Sequence, residues 1–99
     1  MSPERLLVLS FLMFSIGLFG VLARKHVIAV LLSLELMYNA ANLAILSIAW
    51  VSGRIEGVIL VLFGIAITVA EAALGLALFL LAERVRRTTA LDDLSLLKG

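Results

Sequence analysis

Polar and apolar positions fall into long blocks along this chain rather than alternating at short intervals. Three apolar runs cover residues 6–23, 27–51 and 58–82, with 18, 25 and 25 residues. An α-helix rises 1.5 Å per residue, so about 20 apolar residues cross the roughly 30 Å hydrocarbon core of a bilayer. The runs therefore predict an all-α membrane protein with three transmembrane helices, residues 1–99 forming one three-helix membrane domain. A soluble bundle would need a charged stripe on each helix, and no run has one. The flank before the first run holds one Arg and one Glu, and the basic pair follows the run instead of preceding it. The first run is thus expected to be a retained helix, not a cleaved signal peptide. The connection Ser52-Gly53-Arg54-Ile55-Glu56-Gly57 reads as a short turn, and the only proline, Pro3, lies outside the spans.

Composition narrows the function classes. The chain is 64% hydrophobic and 15% charged, and its mean hydropathy is +1.22. Those values exclude a disordered chain, and a net charge of +1 is too small for a nucleic-acid binder. With no Cys and one His, the chain can hold no disulfide and no cysteine-ligated iron–sulfur cluster, and no metal site is expected. Thirteen of the 15 charges lie outside the apolar runs. Arg24, Lys25, Arg84, Arg86, Arg87 and Lys98 fall on one side, and Arg5 and Arg54 on the other. By the positive-inside rule the N-terminus is expected outside and the C-terminus inside. His26 extends the inner basic cluster and reads as a headgroup-level interfacial residue. The inner-side tail, residues 83–99, carries three arginines and then Leu91, Leu94 and Leu97. It reads either as a short docking segment capped by Thr88 or Thr89, or as a solvated end.

Two charges remain inside the spans, Glu35 and Glu71. Glu35 lies eight residues from the inner end of run two, about 12 Å deep, and Glu71 eleven residues from that of run three, about 16 Å. A charge at such depth costs a few kcal/mol, and such groups face protein or water rather than lipid. At 100° per residue, Glu35, Tyr38, Asn39 and Asn42 form one polar stripe on helix two. Gly64, Thr68, Glu71 and Gly75 share a face of helix three, where small residues admit a neighbouring helix or a file of water. Gly17 and Gly20 give helix one a packing face without ionisable groups. A carboxyl group removed from water can hold or exchange a proton, and Asn and Tyr can position waters beside it. This constellation suits a proton relay. The plainer reading is that both glutamates stay protonated and bridge helices. A Na⁺ site is a further reading, but these groups define no coordination shell.

The same residues carry a family resemblance. Ile16-Gly17-Leu18-Phe19-Gly20-Val21-Leu22 and Arg24-Lys25 begin it, and Ser33-Leu34-Glu35-Leu36-Met37-Tyr38-Asn39-Ala40-Ala41-Asn42-Leu43 is its strongest block. Ala70-Glu71-Ala72-Ala73-Leu74-Gly75-Leu76-Ala77-Leu78 and Asp92-Asp93-Leu94-Ser95-Leu96-Leu97-Lys98-Gly99 complete it. Over nearly its whole length the chain resembles the K subunit of bacterial respiratory complex I, the small three-helix subunit of NADH:quinone oxidoreductase. The resemblance implies a bacterial inner (cytoplasmic) membrane location and a hetero-oligomer with other membrane-arm subunits, including antiporter-like ones. It places Glu35 and Glu71 on the polar axis that links quinone reduction to proton pumping, and gives the Arg24-Lys25 loop a role in coupling. It implies no cofactor in this chain, with FMN, iron–sulfur clusters and quinone elsewhere in the complex, and no activity for the chain alone. Glu56-Gly57 stands where many relatives have Gly-Gln, Thr68-Val69-Ala70 where many have three alanines, and Lys25 where Arg is frequent.

Three other readings compete. The small C-type subunit of multisubunit cation/proton antiporters resembles the same three-helix unit but generally lacks carboxylates at the positions of Glu35 and Glu71. A small homo-oligomeric drug exporter would need a fourth helix and an aromatic pocket, and only Tyr38 lies near Glu35. A structural membrane subunit with inert carboxylates would show the same polar stripe.

Overall fold

The computed structural model describes residues 2–98. It contains three helices, α1 (Pro3–Ala23), α2 (Val27–Ser52) and α3 (Ile55–Lys98). All three are long and apolar enough to cross a membrane. Their ends follow from local chemistry. Ser2 caps α1, its hydroxyl accepting from the Arg5 N–H at 3.3 Å, with Pro3 preset in the first turn. His26 caps α2, and its Nδ1 accepts from the Ile28 N–H at 3.2 Å. Gly53 stops α2 in the left-handed conformation (φ 65°), and the Arg54 N–H donates to the Ala49 carbonyl at 3.1 Å. The turn between α2 and α3 is therefore only Gly53 and Arg54. Ile55, Glu56 and Gly57, expected to belong to it, are the first turn of α3.

The larger correction concerns the tail. Residues 83–98 form neither a separate capped segment nor a loose end, because they continue α3 as one 44-residue helix. At 1.5 Å per residue this helix is about 66 Å long, twice the hydrocarbon thickness. Thr88 does not cap it. Its hydroxyl donates back to the Arg84 carbonyl at 3.0 Å within the helix. Arg86 pairs with Glu83 one turn earlier at 2.9 Å. Beyond Glu83 the described tail residues are exposed.

The three helices lie side by side. Helix α2 packs against both neighbours, while α1 and α3 make no contact among the described residues. Principal-axis extents of 70 × 26 × 15 Å describe a slab one helix thick, since a helix with side chains measures about 10–12 Å across. Two seams of heptad spacing (3–4 residues) run along α2. Ser33, Met37, Ala40 and Ala44 face α1, where Gly17 and Gly20 let the backbones close in. A Cβ at Gly17 would lie 2.6 Å from Met37 Cγ and 2.8 Å from the Ser33 carbonyl, and one at Gly20 would collide with Ser33 Oγ. Leu31, Glu35, Tyr38, Asn42, Ile45 and Ala49 face α3, meeting Gly57, Gly64, Ala72 and Gly75. Small residues dominate the first seam and the α3 side of the second, as expected where close backbone contact replaces the hydrophobic effect.

Candidate intramembrane carboxylate site

The second seam brings the two carboxylates together. Leu31, Leu34, Glu35 and Tyr38 from α2, with Glu71 and Ala72 from α3, line one small cleft of about 70 Å³. The facing seams set the register. Leu31 lies against Gly75 and Asn42 against Gly64, so the level between them pairs residues 35–38 with 71–72. Glu35 also lines a second cleft, of about 140 Å³, with Ile28, Leu31, Leu32, Ala72 and Leu76. At 100° per residue, Leu34 and Tyr38 lie to one side of Glu35 and Ile28 and Leu32 to the other. Glu35 thus stands in the seam with a cleft on either side, while Glu71 opens onto one of them.

Within this chain Glu35 is half-buried and Glu71 exposed. A slab one helix thick has no interior at its broad faces, so complete burial requires material beyond this chain. The expected four-residue stripe on α2 also divides. Tyr38 joins the carboxylates, 42% exposed. Asn39, one residue further, is exposed beside the seam and does not line their cleft. Asn42 faces Gly64 instead, and its Nδ2 is buried without a hydrogen-bond partner among the described residues. Thr68 is buried on the α3 face and its hydroxyl donates to the Ile65 carbonyl at 3.0 Å. It too lies outside the carboxylate cleft.

At one end of the slab, Arg24 and Lys25 are exposed in the three-residue link between α1 and α2. The His26 ring packs on Phe79 of α3, centroids 5.9 Å apart and tilted 55°. That contact sets the loop one turn before Glu83 and the arginines of α3, so all six basic residues assigned to one side gather beyond the same end. The expectation for His26 omitted its capping role, which was legible only as a polar side chain just before an apolar run. Leu31, Ala72 and Gly57 were also missed at the second seam. The available signal was helical spacing, Gly57 lying seven residues before Gly64 and eighteen, five turns, before Gly75.

Fold and cleft together define a class, a small multi-pass membrane protein with two carboxylates lining one cleft of a thin slab. Residues 5–99 match the family model for NADH-ubiquinone/plastoquinone oxidoreductase chain 4L, and the chain belongs to that family. It is a membrane subunit of complex I, a multisubunit proton-translocating quinone oxidoreductase, and works as part of a hetero-oligomer.

Proposed function

We propose that Glu35 and Glu71 are proton-exchange groups on the path that couples quinone reduction to proton translocation. The observation that carries this reading is their shared cleft. Its roughly 70 Å³ exceeds the ~10–15 Å³ of comparable volume that one water needs, so the cleft that both residues line has room for water. Tyr38 offers a hydroxyl at the same place. Asn39, Asn42 and Thr68 tune the path from its edges, and Arg24 and Lys25 fix the basic loop at the inner side. The exposed Glu71 receives its remaining contacts from other membrane-arm subunits, antiporter-like ones among them, because lipid offers it no partner.

In this reading the N-terminus lies outside and the C-terminus inside a bacterial cytoplasmic membrane, as the basic residues favour. FMN, iron–sulfur clusters and quinone belong to other subunits, and this chain has no activity alone. The test is Glu35→Gln and Glu71→Gln, introduced singly into the intact complex in inverted membrane vesicles. Each is expected to lower proton-coupled quinone reduction by about tenfold or more, the low side of what proton-transfer groups contribute. Normal rates and gradients in fully assembled variants would support the structural reading instead.

A further inference from the structure

The extension of α3 carries a pattern that the carboxylate site does not use. Leu80, Arg84, Arg87, Leu91, Leu94 and Lys98 are spaced 4, 3, 4, 3 and 4 residues apart, the repeat by which one helix packs along another. Because α3 is one continuous helix, they form a single stripe. At 100° per residue the stripe lies roughly 135° from the face on which Gly57, Gly64 and Gly75 meet α2, along the free edge of the slab. Part of it is already concave. A cleft of about 390 Å³ is lined by Leu80, Arg84, Arg87 and Leu91, with Glu83 and Thr88 at its borders. The charge of the stripe is one-sided. Among the described residues neither Arg84 nor Arg87 has an ion-pair partner, whereas Glu83 is taken by Arg86 at 2.9 Å. Asp92 and Asp93 lie roughly 125–135° away around the helix.

We propose that this stripe is a docking surface for an acidic helix of a neighbouring subunit, whose carboxylates meet Arg84 and Arg87 and whose apolar side chains cover Leu91 and Leu94. Distance and charge separate this occupant from the others. Leu91 and Leu94 lie about 14 and 18 Å beyond Ala82, the last residue of the apolar run, whereas the headgroup layer adds only roughly 5–8 Å to the hydrocarbon on each side. The molecule's 70 Å long axis accommodates the roughly 66 Å helix without a fold back to the bilayer, so lipid does not cover these leucines. A second copy of this chain, parallel or antiparallel, would set Arg84 and Arg87 against basic or apolar residues and never against a carboxylate. An acidic helix satisfies both halves of the stripe, because a guanidinium grips a carboxylate through two N–H groups and leucines in contact leave water. Membership of a hetero-oligomer supplies such neighbours. The stripe exists only while residues 83–98 stay helical. This inference goes beyond the proton path and does not depend on it.

The experiment couples amines to carboxylates at zero length, using a carbodiimide on the intact complex. Arg84→Lys and Arg87→Lys, made separately, keep the charge and supply a reactive amine where the guanidinium is inert. Each is expected to give a product that joins this position to a carboxylate of a different subunit, located by peptide mass spectrometry. Leu91→Asn/Leu94→Asn added to either is expected to lower the yield by about fivefold or more, as the apolar half of the contact is lost. Leu96→Asn, on the opposite side of α3, is expected to leave it unchanged. Assembled variants that couple only within this chain, only to a second copy of it, or not at all would overturn the proposal. Equal yields with the stripe and Leu96 changes would overturn it too, since the contact would then not use the stripe. Loss of bound anionic phospholipid from the Arg84→Gln/Arg87→Gln complex, without intersubunit coupling in the lysine variants, would assign the arginines to lipid instead. Normal pumping by Glu35→Gln and Glu71→Gln would sink the proton-path reading and leave this result untouched.

Discussion

At the scale of single residues, function and packing are divided between the two seams of α2. On the α1 side the decisive residues are small. Gly17→Val would place a branched Cβ 2.6 Å from Met37 Cγ and 2.8 Å from the Ser33 carbonyl, the latter being backbone that cannot swing aside. We expect overpacking of about 1–3 kcal/mol and a lower yield of assembled complex on native gels, with normal turnover in the fraction that assembles. On the α3 side the decisive residues are polar. Glu35 and Glu71 were legible in the sequence because each is the only charge in its span. Their meeting was legible from matched depth. The division of Tyr38, Asn39 and Asn42 was not. Periodicity at 100° per residue identifies a stripe about 100° wide, but which edge of the stripe meets α3 depends on how α2 is rotated between its two neighbours. That rotation is set by Gly17, Gly20, Gly57 and Gly64 acting together.

At the scale of elements, α3 departs most from its sequence reading. The onset of charge at Glu83 predicts both where the helix leaves the bilayer and where it ends. Nothing local ends it, since no Gly or Pro occurs between Leu76 and Lys98. The absence of any breaker was the available signal. Among the described residues the extension is held by backbone hydrogen bonds, the Glu83–Arg86 pair and the Thr88 hydroxyl on the Arg84 carbonyl. It should accordingly be sensitive to a single interruption. Ala90→Pro is expected to cost about 3 kcal/mol of helix stability. Amide hydrogen exchange of the intact complex would then show lost protection near residue 90, with the spans unaffected. Unchanged protection through residues 86–94 would mean that neighbouring chains, rather than the helix itself, order this segment. The turn between α2 and α3 teaches the same lesson in reverse, because Gly53 stops α2 and the chain re-enters a helix immediately after Arg54.

At the scale of the whole molecule, a slab one helix thick leaves large apolar side chains exposed on all three helices, such as Phe11, Trp50 and Phe63, together with the Glu71 carboxylate. The apolar residues suit lipid or protein equally, whereas the carboxylate requires a polar neighbour. This is the physical reason why a single chain reveals the site but not its completion. Orientation belongs to the same scale and is open to chemistry, because the chain contains no cysteine. In sealed cells, a membrane-impermeant maleimide is expected to modify this subunit in a Ser52→Cys variant, and in a Thr88→Cys variant only after the membrane is opened. The reverse pattern would invert the proposed topology. The central claim is that the two carboxylates carry protons, not merely hold helices together. The most direct measurement is the proton gradient formed during quinone reduction by vesicles bearing the fully assembled Glu35→Gln/Glu71→Gln complex. The account predicts that both gradient and coupled rate collapse. A normal gradient at a normal rate would contradict it.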